Sequence, residues 1–207
     1  MVLRFLGEAT TDENGLAVLE DGYTGTGAGL VDIIAQTTID ESTVVSQPST
    51  VIDALFKDMG TSTDYGNWSN WTGYEPKITR DTYCKVEVDT ANSKTLARMY
   101  KQFDASSNNV CIEFDVKIVA SSSSEIFGTL RNNSGNVLGN LDSNRFGGTT
   151  GTWHHLKIVV TSTNAKVYLD NSSSAYTYSQ SGITRLYIDF DTDITELDYK
   201  NFVIYPV

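Results

Sequence analysis

The chain has 207 residues, 40% of them hydrophobic, enough for one sizeable core or for one core with a smaller module beside it. With 26 acidic against 15 basic residues the formal charge is −11, which argues against binding a phosphate backbone, since that requires clustered Lys and Arg; nucleic acid is not an expected partner. No apolar run reaches the roughly eighteen residues of a membrane-crossing helix, so membrane insertion is not expected either.

Abundant Ser, Thr and Asn, sixteen glycines and short runs of β-branched and aromatic residues point to many short strands joined by turns. Taken in order, Leu16–Leu19 and Leu30–Ala35 read as strands on either side of a Gly-rich segment, with a turn at Asp12-Glu13-Asn14-Gly15. Ile39 to Thr50 is polar, contains Pro48 and shows no period, which reads as a linker. Thr50 to Asp58 is the one helix candidate, short enough to be linker running into a strand instead. The expected division is therefore residues 1–45, a β segment and linker, and residues 50–207, a sandwich domain.

From there alternation marks one strand after another. Thr82 to Asp89 puts Cys84, Val86 and Val88 on one face, and Thr95 to Tyr100 is the next strand. Val110 to Val119 alternates most cleanly, with Val110, Ile112, Phe114, Val116 and Ile118 inward and Cys111, Glu113, Asp115 and Lys117 outward. That assignment sends Cys84 into the core and Cys111 away from it, so two free thiols are expected, Cys111 the more accessible. Ile126 to Arg131 and Val137 to Leu141 follow, then a hairpin of His154 to Val160 and Ala165 to Leu169 around Thr161-Ser162-Thr163-Asn164. Tyr187 to Phe190, with Ile188 and Phe190 on one face and Tyr187 and Asp189 on the other, and Leu197 to Tyr205, with Phe202 and Ile204 inward, close the series.

The hairpin, entered by Gly151-Thr152-Trp153-His154 and left at Asp170-Asn171, resembles the central hairpin of laminin-G and concanavalin A-like lectin sandwiches. The closing Asp198 to Tyr205 is similar to their last strand. The fold class expected is all-β, an antiparallel two-sheet jelly-roll sandwich of the concanavalin A-like kind. Ala9 to Ala35, with its Thr-Thr-Asp-x-x-Gly turn and Gly-Thr-Gly-x-Gly run, resembles the last strands of an invasin-type bacterial Ig-like domain, only part of which is present. Its strands would pair with the sandwich or with another copy, giving a homo-oligomer, or stay unpaired.

That lectin resemblance raises three kinds of site. Retaining hydrolases of this fold carry Glu-x-Asp-x-x-Glu on one strand; here Glu113 and Asp115 are followed by Ile118 where the second Glu should stand, so no catalytic residue is expected. A structural calcium is implied by the fold, and Asp189, Asp191, Asp193 and Asp198, with Glu196 among them, supply hard oxygen ligands. His154 and His155 face opposite ways and cannot share a metal. In the loop GNWSNWTGYEP, Trp68, Trp71 and Tyr74 present rings on which a sugar C–H face could stack, unless one Trp plugs the end of the sandwich; Tyr176 and Tyr178 are a second such pair.

The leading expectation is a non-catalytic carbohydrate-binding or adhesion module on a surface adhesin or viral tail or fibre. Its partner would be a glycan or cell-surface receptor, and its place extracellular, on a cell surface or on a virion. A structural spacer without a ligand is the alternative, and a glycoside hydrolase or lyase the third.

Overall fold

A computed structural model describes the backbone of residues 29–33, 36–39, 42–45, 49–53, 55–103, 109–121, 124–146 and 151–207, with side chains from residue 55 onward except 145 and 146. The strands are β1 (Gly29–Ile33), β2 (Gln36–Ile39), β3 (Ser42–Val45), β4 (Ser49–Asp53), β5 (Phe56–Asp58), β6 (Ser69–Asn70), β7 (Lys77–Arg80), β8 (Cys84–Glu87), β9 (Leu96–Gln102) and β10 (Val110–Ala120). They continue as β11 (Ile126–Arg131), β12 (Val137–Asp142), β13 (Trp153–Val160), β14 (Ala165–Leu169), β15 (Ala175–Tyr178), β16 (Arg185–Asp191) and β17 (Ile194–Pro206). The only helical turns among the described residues are 3₁₀, at Thr90–Asn92 and Ser143–Phe146.

Two antiparallel sheets make the sandwich. The larger runs β15-β14-β13-β10-β17-β8-β7, with β5 also on β17; the smaller runs β12-β11-β16-β9-β6. The layers form because each strand carries its apolar residues at every second position. In β10, Val110, Ile112, Phe114, Val116 and Ile118 are all buried, and β13 answers with Leu156, Ile158 and Val160. From β17, Leu197, Tyr199, Phe202 and Ile204 enter the same core, Phe202 stacking on Phe114 at 4.8 Å between ring centroids. The smaller sheet contributes Ala97, Met99, Leu130, Leu186, Ile188 and Phe190. Cutting Phe114 to Ala would cost about 3–5 kcal/mol, a large part of what holds a domain of this size folded.

The register of β17 against β10 shifts at two places, between Val119 and Ala120 and between Glu113 and Asp115. Glu113 pairs with Val203 but Asp115 with Lys200, and Asn201 takes φ +55° in the extra position. This bulge keeps Tyr199 and Phe202 in the core while turning Lys200 and Asn201 towards the outer face.

The sandwich and most strands agree with the sequence pattern, and five expectations change. The stretch from Ile39 to Thr50 carries β3 and the start of β4, in keeping with its β-branched Thr43, Val44 and Val45. The helix candidate from Thr50 to Asp58 is strand at β4 and β5. β1 pairs with β4 and β2 with β3, so one edge of β1 is taken within the chain. β16 is covered on both faces, from Leu186 to Phe190, where one buried face was expected. Cys111 does point away from the core, yet it is 0% exposed, because Glu113 and Tyr205 close over it. The strand expected at Leu16–Leu19, the preceding turn and nearly all of the Ig-like stretch lie outside the described residues.

Candidate functional site

The outer face of the smaller sheet is built from alternate residues of three adjacent strands. Thr129 and Arg131 of β11 lie opposite Tyr187 and Arg185 of β16, and Tyr187 and Asp189 lie opposite Tyr100 and Arg98 of β9. Asp189 is buried and is the only carboxylate meeting these arginines among the described residues. Arg98 Nε donates to its Oδ1 at 2.9 Å, and Arg131 Nη2 donates to its Oδ2. Arg131 is held further by Thr129 Oγ1 at 2.8 Å and the Gly135 carbonyl at 3.2 Å. Gly135 has φ +86°, which the β11–β12 turn needs to bring that carbonyl round. Tyr100 and Tyr187 stack at 4.8 Å, with the guanidinium of Arg131 4.5 Å from the Tyr187 ring and that of Arg185 5.3 Å from the Tyr100 ring.

The tryptophan loop is pinned to the edge of this face. β6 pairs with β9 at Tyr100 and Met99; beyond it, Trp71 N–H donates to the Arg98 carbonyl at 3.4 Å and Arg98 N–H to the Tyr74 carbonyl at 2.8 Å. Trp71 and Tyr74 thereby flank one guanidinium, at 5.6 and 5.4 Å. Trp71 keeps 39% of its surface exposed, and Tyr74 is half-buried. Trp68, three residues earlier, goes the other way. Its ring packs on Phe56, Phe202 and Tyr199, and its Nε1 donates to Asp58 Oδ2 at 2.8 Å. Trp68 is therefore the plug, and is set aside as a stacking platform. Asp58, fully buried, also takes two hydrogen bonds from Arg80, at 2.9 and 3.1 Å, and one from the Tyr199 hydroxyl at 2.8 Å.

The second aromatic pair is divided. Tyr176 is exposed at the edge of a narrow apolar cleft between the sheets, beside Leu141, Leu156 and Val167. Tyr178 packs over Gly139, and its hydroxyl donates to the Asn140 carbonyl, tying β15 to β12.

The four aspartates expected around a metal do not meet. Asp189 serves the arginines, while Asp198 is buried against Lys117, 2.6 Å away. Burial raises the Asp198 carboxyl to about 6, and Glu196 beside it adds to this while Lys117 opposes it. Asp191 and Asp193 converge instead with Glu125, their ligand oxygens within 4.8 Å of one another. Two carboxylates at the β16–β17 turn and one just before β11 fit the hard-oxygen preference of calcium and make up about half of its usual 6–8 ligands.

The outer face of the larger sheet carries a network of ion pairs and hydrogen bonds. Glu113 Oε1 accepts from Lys157 at 2.8 Å and from the Tyr205 hydroxyl at 2.8 Å; Asp115 Oδ1 lies 2.9 Å from His155 Nδ1, and its Oδ2 accepts from Asn201 at 2.7 Å. Burial works to raise the Glu113 carboxyl, but its hydrogen bonds from Lys157 and Tyr205 bring it below the ordinary glutamate value. A general acid for glycoside cleavage needs the opposite shift. Ile118 is buried, so no second carboxylate stands further along the strand. His154 pairs with Asp170 at 2.8 Å, apart from His155 as alternation required. One aromatic platform on this sheet escaped the sequence reading: Trp153 meets Tyr83 edge to face at 5.6 Å, with the Lys200 ammonium 4.5 Å from its ring.

No protein-family model matches the chain, and no curated protein matches it. Among solved structures it is similar in fold to the carbohydrate-binding module CBM66 from Bacillus subtilis, at 13% identity over 67% of this chain and 97% of that one, TM-score 0.43. It is likewise similar to a protein of unknown function with a galectin-like fold from Bacillus subtilis, at 7% identity over 73% and 95%, TM-score 0.46. A third is the alginate lyase AlgAT5 from polysaccharide lyase family 7, at 14% identity over 73% and 94%, TM-score 0.43. Likenesses at this level carry no argument about ligand or chemistry, which must come from the residues.

Proposed function

We propose that this sandwich is a non-catalytic carbohydrate-binding module whose binding face is the outer side of the smaller sheet. The observation that supports the reading is Trp71, an exposed indole fixed by backbone hydrogen bonds on both sides of Arg98 and backed by Tyr74. A rigid ring loses little entropy when a sugar face stacks on it, and the neighbouring guanidinium and amide groups can take the hydroxyls. A glycan array with the whole chain should give hits that disappear in Trp71→Ala and persist in Tyr176→Ala. Hits that survive Trp71→Ala would move the site elsewhere, and the absence of any hit would favour a spacer.

The wider setting follows from the same reading. The module would sit on a surface adhesin or a viral tail or fibre, outside the cell or on a virion, with a receptor glycan as partner. Copies would associate through the N-terminal segment; a chain starting at residue 55 with unchanged oligomeric state would refute that. We propose a structural calcium held by Glu125, Asp191 and Asp193, a reading supported by the convergence of their ligand oxygens. Millimolar CaCl₂ should then raise the thermal midpoint by a few degrees over EDTA, and Asp193→Asn should remove the difference.

A further inference from the structure

The charge on this face is not balanced by the protein. Arg131 and Arg185 stand directly opposite each other on β11 and β16, an arrangement of like charges that destabilises a sheet unless something intervenes. Asp189 answers Arg98 and Arg131, but Arg185 meets no carboxylate among the described residues. Its Nη2 donates to Asn133 Oδ1 at 3.1 Å and its Nε is buried with no partner. The Tyr187 hydroxyl, in a side chain with no exposed surface, is also without a partner, on the residue that separates Arg185 from Asp189 along β16. A chain of net charge −11 thus sets three guanidinium groups on the face that presents Trp71, where Asp189 pairs with only two of them. Guanidinium groups whose hydrogen-bonding capacity is unspent, in a partly desolvated setting, are suited to a planar or tetrahedral anion.

Resting on the reading of this face as a glycan site, we propose that its ligand is an acidic saccharide, whose carboxylate or sulfate group is received by Arg185 beside Arg131 while a sugar ring stacks on Trp71. The anion removes the repulsion between the opposed arginines, so affinity for the charged sugar exceeds that for the same sugar neutralised. A long-lived neutral ligand would leave that repulsion in place.

The test is an array in which each uronate-, sialate- or sulfate-bearing oligosaccharide is printed beside its methyl-esterified, desialylated or desulfated counterpart, followed by titration calorimetry on the best pair. The acidic member should bind at least tenfold more tightly, the preference should shrink with added NaCl, and Arg185→Gln should abolish it while Arg185→Lys retains part. Preference confined to sulfated glycans identifies the anion as a sulfate ester, and preference confined to uronates or sialates as a carboxylate. Equal binding of charged and neutral members, lost in Trp71→Ala, would overturn this inference and leave the carbohydrate-binding reading standing. A charge preference unchanged in Arg185→Gln would also overturn it, and binding to no glycan would overturn both.

Discussion

The outer faces of the two sheets handle charge in different ways. On the larger sheet most of the lysines have a local anion, Lys157 with Glu113, Lys85 with Glu196 and Lys117 with Asp198, while Lys200 lies over the Trp153 ring. On the smaller sheet two arginines, Arg98 and Arg131, converge on Asp189, and Arg185 is left over. A face whose charges cancel pair by pair is accounted for by its own stability. A face with surplus charge is stable at some cost, and that cost points outward, to something the face receives.

The sharpest way to break this contrast is to remove the shared carboxylate. Asp189→Ala should destabilise the protein by about 3 kcal/mol in urea unfolding, since it strands Arg98 and Arg131 beside Arg185. Its counterpart on the balanced face, Glu113→Gln, should cost about 1 kcal/mol, because Lys157 is half exposed and water replaces the pairing. Equal costs would mean that the two faces do not differ. Neither the wild-type chain nor Glu113→Gln should release reducing ends from β-glucans, and release by the former that is lost in the latter would restore the catalytic reading.

Asp198 sharpens the contrast within the larger sheet. Its carboxyl is raised by burial from 3.8 to about 6, so the folded state holds a proton there that the unfolded state has released. The group therefore costs nothing below pH 4, and stability falls through it as pH rises from about 4 to about 6. Asp198→Asn should shift the thermal midpoint relative to wild type more favourably at pH 7 than at pH 4. The reverse order would show that the ion pair with Lys117 outweighs burial. The smallest effect concerns the thiols. Burial pushes both Cys84 and Cys111 up to about 11, and β17 lies between their strands, so neither should react with a thiol reagent at pH 8 in the native protein and both should react in denaturant. Rapid native reaction of one thiol would show that Tyr205 and Glu113 do not seal Cys111.

Period two made the sandwich legible, because burying one face of a strand repeats the same physical demand at every second residue. β10 and β13 could be read almost residue by residue. The short edge strands β6, β7 and β15 could not, since an edge strand with its side chains mostly exposed carries no apolar alternation. Trp68 and Trp71 show the limit for the site. They sit in one polar loop with similar neighbours, and only the pairing of β6 with β9 decides that the first enters the core and the second stays out. Arg98, Arg131 and Arg185 were invisible as a group because they lie on three strands far apart in sequence; their outward positions offered a signal only once strand order was known. Cys111 was assigned to the right face and the wrong exposure, since alternation gives direction but not what lies across the neighbouring strands.

β17 has a further consequence, for the order in which the molecule can assemble. It fills the middle of the larger sheet, bonded on one side to β10 and on the other to both β8 and β5. Until it arrives, β5, β8 and β10 have made their hairpins or nothing, and their facing edges are open to whatever strand is at hand. The contacts that close the sheet span most of the domain, which places folding at the slow end for chains of this size. A ribosome that stalls before Ile194 would therefore present unpaired, strongly apolar edges, and aggregation during synthesis should respond more steeply to the speed and temperature of expression than the stability of the finished fold would suggest.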